Sequence, residues 1–224
     1  MKSVKNIQGL LKTIPPGIKL VVVSKTRTSA EILEIYQAGY KIFGENRVQE
    51  LTDKYHRLPT DIEWHMVGHL QTNKVKYIAP FVHLVHSVDS LKLLQVINNE
   101  ASKNNRIIEC LLEVHIAREE SKFGLDREGL KSIIQSPDLK DLNFIRITGL
   151  MGMASFTDDV QVISQEFRGL RHTFEEIAKH NYFSPGQFRE LSMGMSGDYK
   201  IAIEEGITMI RIGTLIFGER IAQE

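Results

Sequence analysis

The 224-residue sequence has one cysteine, no excess of either charge and no long apolar run, and each absence removes a class of function. A single thiol, Cys110, makes no internal disulfide and builds no thiolate metal site alone; inside the run IIECLLEV it reads as a small core residue. The 28 lysines and arginines balance 28 aspartates and glutamates, so the electrostatic footprint of a nucleic-acid or anionic-membrane binder is missing, and no basic run restores it. Nothing approaches the ~18 uninterrupted apolar residues of a membrane span, and the opening MKSVKNIQGLLKTIPPGIK has no apolar signal core. There is no HExxH and no Cys/His set; His65 and His69, four apart, and His83 and His86 read as satisfied or solvent-facing side chains, and no metal is expected. The expectation is a soluble cytoplasmic protein with no nucleic-acid and no membrane partner. Monomer and weak dimer both remain open.

What is present is ordinary globular composition, 42% hydrophobic and 25% charged, with no linker or low-complexity stretch. At ~150 residues per domain the length allows one domain or two. With no composition break, residues 1–224 read as one domain.

Short β-rich apolar runs alternate with longer amphipathic segments. The runs are Ile18–Ser24, Lys41–Gly44, Glu63–Gly68, Phe81–Val88, Ile107–Ile116, Phe144–Met153, Glu190–Met193 and Met209–Phe217. Helical patterns cover Ser29–Ala38, Asn46–Arg57, Ser90–Lys103, Arg127–Ile134, Val160–His180 and Gly197–Glu205, with cap-like Ser29, Asp89, Ser90 and Asp126 at their starts. Near-continuous apolar strands such as KLVVVS mark a parallel sheet covered by helices. Eight of them predict an α/β fold of the single (β/α)8 TIM-type barrel class. An open doubly wound sheet predicts a glycine-rich turn after the first strand, and SKTRTS is not one. Pro15 and Pro16 interrupt any helix at the N-terminus, so a covering helix before Ile18 is in doubt.

In such a barrel, chemistry gathers at the C-terminal strand ends. Lys25 ends an apolar strand there; partial desolvation of its amine favours the neutral, nucleophilic form that Schiff-base chemistry requires, although a strand-terminal lysine can equally return the chain to solvent. The segments SMGMSGD and RIGTLIFG supply small-residue turns after strands seven and eight, where barrels often bind phosphate; Ser196 leads into a helix start, and Gly194 and Gly213 allow the turns. Arg211 lies in an apolar strand in phase with Gly213, and a buried arginine there needs a ligand acceptor or a carboxylate. The methionines at 151, 153, 193 and 195 read first as packing.

VVVSKT, KIFGENRVQE, WHMVGHLQTNK, ESKFG, GLMGM, LSMGMSGDYKIAIEEG and TMIRIGTLIFGER together resemble the pyridoxal phosphate homeostasis protein family, from about Ile18 to the C-terminus. The resemblance implies a barrel like the N-terminal domain of alanine racemase that holds pyridoxal 5'-phosphate (PLP). By the same resemblance Lys25 is the Schiff-base lysine and Asn46 the asparagine beside the cofactor. Ser196, Gly213 and Thr214 are then phosphate-turn residues, with Met195 in the same region, and Arg211 faces the pyridine nitrogen. An arginine only donates hydrogen bonds, so it suits an unprotonated ring nitrogen and restrains the cofactor's chemistry. His69 stands where some members carry proline and receives no role. The implied function is buffering PLP or delivering it to apo PLP-dependent enzymes, with no catalytic residue assigned. A PLP-dependent amino-acid racemase and a Schiff-base aldolase acting on a sugar phosphate are the alternatives.

Overall fold

The apolar runs form strands β1 (Lys19–Val23), β2 (Ile42–Glu45), β3 (Glu63–Met66), β4 (Leu84–Val88), β5 (Ile108–Val114), β6 (Ile145–Gly152), β7 (Glu190–Ser192) and β8 (Met209–Ile212). In the computed structural model, which describes residues 2–119, 123–180 and 182–219, each strand pairs in parallel with its sequence neighbour and β8 returns to β1. Parallel neighbours require crossovers, and helices supply them. The helices are α1 (Lys2–Thr13), α2 (Ser29–Gln37), α3 (Val48–Tyr55), α4 (Val75–Ile78), α5 (Leu91–Lys103), α6 (Arg127–Ile134), α7 (Val160–Lys179), α8 (Tyr199–Glu204) and α9 (Thr214–Phe217). The closed eight-stranded barrel is thus the architecture expected from the alternation.

Strand side chains divide into two apolar layers. Val21, Val67, Leu84, Leu111, Met151 and Met209 fill the barrel interior. The opposite faces of the same strands, among them Leu20, Val22, Phe43, Trp64 and Val85, join helix residues such as Ile32, Ile35, Leu51, Ile97 and Phe167 in the larger core. Burial on both faces is why KLVVV and LVHSV read as continuous runs rather than alternating ones. Each fully buried Leu, Ile or Phe contributes about 1.5–3 kcal/mol, so the helix wall is the main source of stability.

The elements differ from expectation at several points. The covering helix put in doubt by Pro15 and Pro16 does form: α1 stops at Thr13, before the prolines, where they act as a stop signal and leave the helix interior intact. Ile7 is buried, and Asn6 Nδ2 donates to the Ile216 carbonyl at 2.9 Å, holding α1 to α9. The run Met209–Phe217 is two elements, because the chain leaves strand geometry at Gly213 and continues as α9. Thr28, one residue before the expected Ser29, caps α2 in a reciprocal capping box with Glu31. The connection from β3 to β4 is only a 3₁₀ turn (Thr72–Lys74) and the single turn α4, too short to give a helical period. Residues 120–122 of the charge-rich stretch AREESKFGLDREG, and residues 220–224, lie outside the described residues.

Candidate functional site

Register places the predicted site residues. Val21 is opposite Arg211 and Val22 opposite Ile212, while Val23 is opposite Gly44 on the other side. Lys25 and Asn46 therefore each follow, by two residues, a matched pair on adjacent strands at the C-terminal mouth. Both are half-buried. Asn46 also borders a groove of about 560 Å³ between α3 and α4, with Gln49, His69 and Tyr77 on its walls.

The turns after β7 and β8 meet. The Arg211 amide donates to the Gly194 carbonyl at 3.0 Å, and the Leu215 amide reaches Ser196 Oγ at 3.4 Å. Gly194 has φ +89°, and a Cβ there would lie 2.7 Å from the Ala202 methyl. A Cβ on Gly213 would lie 2.9 Å from the Val23 carbonyl oxygen, so β1 and β8 approach too closely for a side chain. Thr214 is the first residue of α9, and its amide has no intrahelical acceptor. Met195 and Thr214 are exposed, whereas Ser196 and Gly213 are half-buried. The structure thus brings Met195, Ser196, Arg211, Gly213 and Thr214 together. Lys25 and Asn46 stand beside them across β1 and β2.

Arg211 is 4% exposed. Its Nη1 donates to Ser192 Oγ at 2.6 Å and its Nη2 to the Gly152 carbonyl at 3.1 Å, two of five available N–H donors. Those partners are a hydroxyl and a carbonyl, and the carboxylate pairing weighed from sequence is limited to electrostatic attraction from Glu113 and Asp198. Burial pulls the Arg211 pKa down to about 10, against those two charges, and it remains a cation at neutral pH. Glu113, on β5, is pushed up to about 7 by burial, opposed by Arg211.

Glu45, His86 and Ser192 fall at polar strand ends in the sequence, but the sequence did not join them into the two polar clusters that the structure shows. Behind β2, Glu45 Oε1 accepts from Lys54 Nζ at 2.6 Å and from Ser24 Oγ at 2.6 Å, and Lys54 Nζ also donates to the Ser24 carbonyl at 2.8 Å. This fastens the chain just before Lys25 to α3. Inside the barrel, His65 Nδ1 lies 3.0 Å from His86 Nε2, and His86 Nδ1 lies 3.1 Å from Ser192 Oγ, which continues to Arg211. Desolvation holds both histidines neutral. The available signal was polar residues at inward positions of apolar strands, which is costly without partners. His69, four residues after His65, lies beyond β3 and stacks on Phe123 with ring centroids 4.2 Å apart.

Residues 3–221 match the family described as "Alanine racemase, N-terminal domain". The chain is 43% identical over 204 residues to the pyridoxal phosphate homeostasis protein of Aquifex aeolicus, covering 90% of this chain and 87% of that one. The chain belongs to the pyridoxal phosphate homeostasis protein family. Within it, the PipY structure from Synechococcus elongatus PCC7942 with PLP bound superposes at a TM-score of 0.86 and 34% identity, over 96% of this chain and 100% of that one. An alanine racemase of Clostridium difficile superposes at 0.77 with 12% identity, over 99% of this chain and 57% of that one, which shows a shared fold.

Proposed function

We propose that this protein binds PLP at the C-terminal mouth and serves intracellular PLP homeostasis as a buffer or carrier. The observation that carries the reading is Arg211: a buried cation at the base of two glycine turns, with N–H donors beyond the two its neighbours engage. Bound PLP supplies an aldehyde, which an amine captures as a Schiff base, and a phosphate dianion. Lys25 is the amine. Ser196, Gly213 and Thr214 hold the phosphate through the amides and hydroxyls of the joined turns, with Met195 at their edge and Asn46 beside the ring. Arg211 donates to the pyridine nitrogen and keeps it unprotonated, so the protein holds the cofactor without promoting substrate carbanion chemistry. The partners are PLP and the apo PLP-dependent enzymes that receive it. The described helices include none long and apolar enough to cross a membrane, and we place the protein in the cytoplasm as a monomer or weak dimer.

The test is the visible spectrum of the purified protein before and after added PLP, followed by borohydride reduction and peptide mass analysis. A Schiff-base band with the reduced adduct on Lys25, both lost in Lys25→Ala, is the expected result. No band, with Lys25 unmodified, overturns the assignment. Sugar phosphates trapped on Lys25 by borohydride point instead to an aldolase.

A further inference from the structure

At the opposite, N-terminal mouth of the barrel, Glu63 opens β3 and His83 immediately precedes β4. His65 lies two residues into β3, paired with Leu84 of β4. One ring nitrogen of each histidine and a carboxylate oxygen of Glu63 all lie within 4.8 Å of one another. The His65 and His83 rings are nearly parallel, at 15°, with centroids 5.7 Å apart. His65 is 2% exposed; its Nδ1 is engaged with His86, and its Nε2 is buried with no hydrogen-bond partner. A buried ring nitrogen left unpaired calls for a ligand.

We propose that Glu63, His65 and His83 form a binding site for a divalent transition-metal ion of the zinc class. Ligands bonded to tetrahedral zinc at about 2.1 Å stand about 3.4 Å from each other. The side chains of Glu63 and His83 are about half exposed, and rotation of these two closes the remaining gap onto the fixed His65. Two imidazoles with one carboxylate favour zinc, cobalt or nickel over magnesium and calcium. The outer shell is already in place: His65 Nδ1 and His86 Nε2 lie 3.0 Å apart, which fixes the ring's orientation, and the tautomer with the shared proton on His65 Nδ1 presents the Nε2 lone pair to the ion. Lys19 is the neighbouring cation, and Glu190 holds it at 2.5 Å. Three protein ligands leave a solvent-facing position for water. At this end of a barrel the ion ties the start of β3 to the start of β4, a stabilising role.

The experiment uses untagged protein stripped with EDTA and titrated with cobalt(II), followed by zinc. The expected result is a saturable visible cobalt band at one equivalent, discharged by zinc, with a rise in melting temperature on zinc loading. His83→Ala and Glu63→Gln alter exposed side chains, so both variants should keep the wild-type circular dichroism while binding cobalt at least tenfold more weakly. Absence of a one-equivalent band in the wild type, or unchanged affinity in both variants, overturns the site.

Discussion

Replacing Glu45 with glutamine is expected to become less costly relative to the wild type as pH rises, although it deletes one partner of a buried ion pair. Glu45 is fully buried and bonded to Lys54 and Ser24 through Oε1, while Oε2 has no partner. Burial outweighs the Lys54 charge and pushes the carboxyl up from 4.5 to about 7. Between those two pH values the folded chain holds a proton that the unfolded chain has released, so stability falls as pH rises across the window. About 2.5 pH units at about 1.4 kcal/mol each give a cost of about 3 kcal/mol once Glu45 is ionised, constant above about pH 8. Glutamine imitates the neutral carboxyl, so its packing cost is the same at every pH and only the difference from wild type changes. Urea unfolding of both proteins at pH 4.5, 6 and 8.5 measures that difference. It should shift in favour of Glu45→Gln by up to about 3 kcal/mol from the lowest pH to the highest. A pH-independent difference would refute the reasoning, as would a shift toward wild type, because either means that Lys54 holds Glu45 ionised in the ordinary carboxylate range.

Two further substitutions test the placement of the elements. Gly213→Ala sets a methyl 2.9 Å from the Val23 carbonyl, so the end of β1 must move. The expected cost is about 1–3 kcal/mol by denaturant melting, with at least a tenfold loss of PLP affinity by spectral titration, and unchanged PLP affinity counts against the close β1–β8 approach as part of the site. Ile7→Ala removes the buried anchor of α1 and should cost about 2–5 kcal/mol in the same melting assay. A change below 0.5 kcal/mol would mean that α1 does not cover the barrel.

The barrel was legible because its signal is repeated: eight apolar runs, each followed by a region able to cross back, leave few topologies. Boundaries failed where local chemistry decides them. Val and Ile content cannot distinguish the continuing strand MIRIGTLIF from a strand, a glycine break and a helical turn, since the change of direction depends on tertiary contact with Val23. The first helix was misjudged because Pro15 and Pro16 were read as breaking a helix that had already ended. Within the site, Lys25, Ser196, Arg211 and Gly213 could be found by position, being polar or small residues at strand ends. Asn46 and Thr214, and Met195 within the SMGMS turn, also lie at strand ends, but their roles toward a cofactor came only from the resemblance. The contacts of the His65–His86–Ser192 chain were not legible: its members lie 21 and 106 residues apart and meet only when the sheet closes.

Ser192 is where that chain meets the proposed cofactor, and truncating it distinguishes a structural arginine from a ligand-holding one. Its buried hydroxyl bonds both Arg211 and His86, so Ser192→Ala leaves two buried partners unsatisfied and should cost about 2–4 kcal/mol in the protein without PLP. Arg211 then keeps its bond to the Gly152 carbonyl alone and loses the contact that fixes the tilt of its guanidinium. If Arg211 donates to PLP, the tilted group binds it less well, and added PLP stabilises the variant less than the wild type. A tenfold weaker affinity widens the stability gap by about 1.4 kcal/mol at a saturating concentration common to both. Denaturant melts of the two proteins with and without PLP read that widening directly. A gap that is the same in both conditions would make Arg211 a purely structural cation, and the reading of the site would then have to rest on Lys25 and the two turns alone.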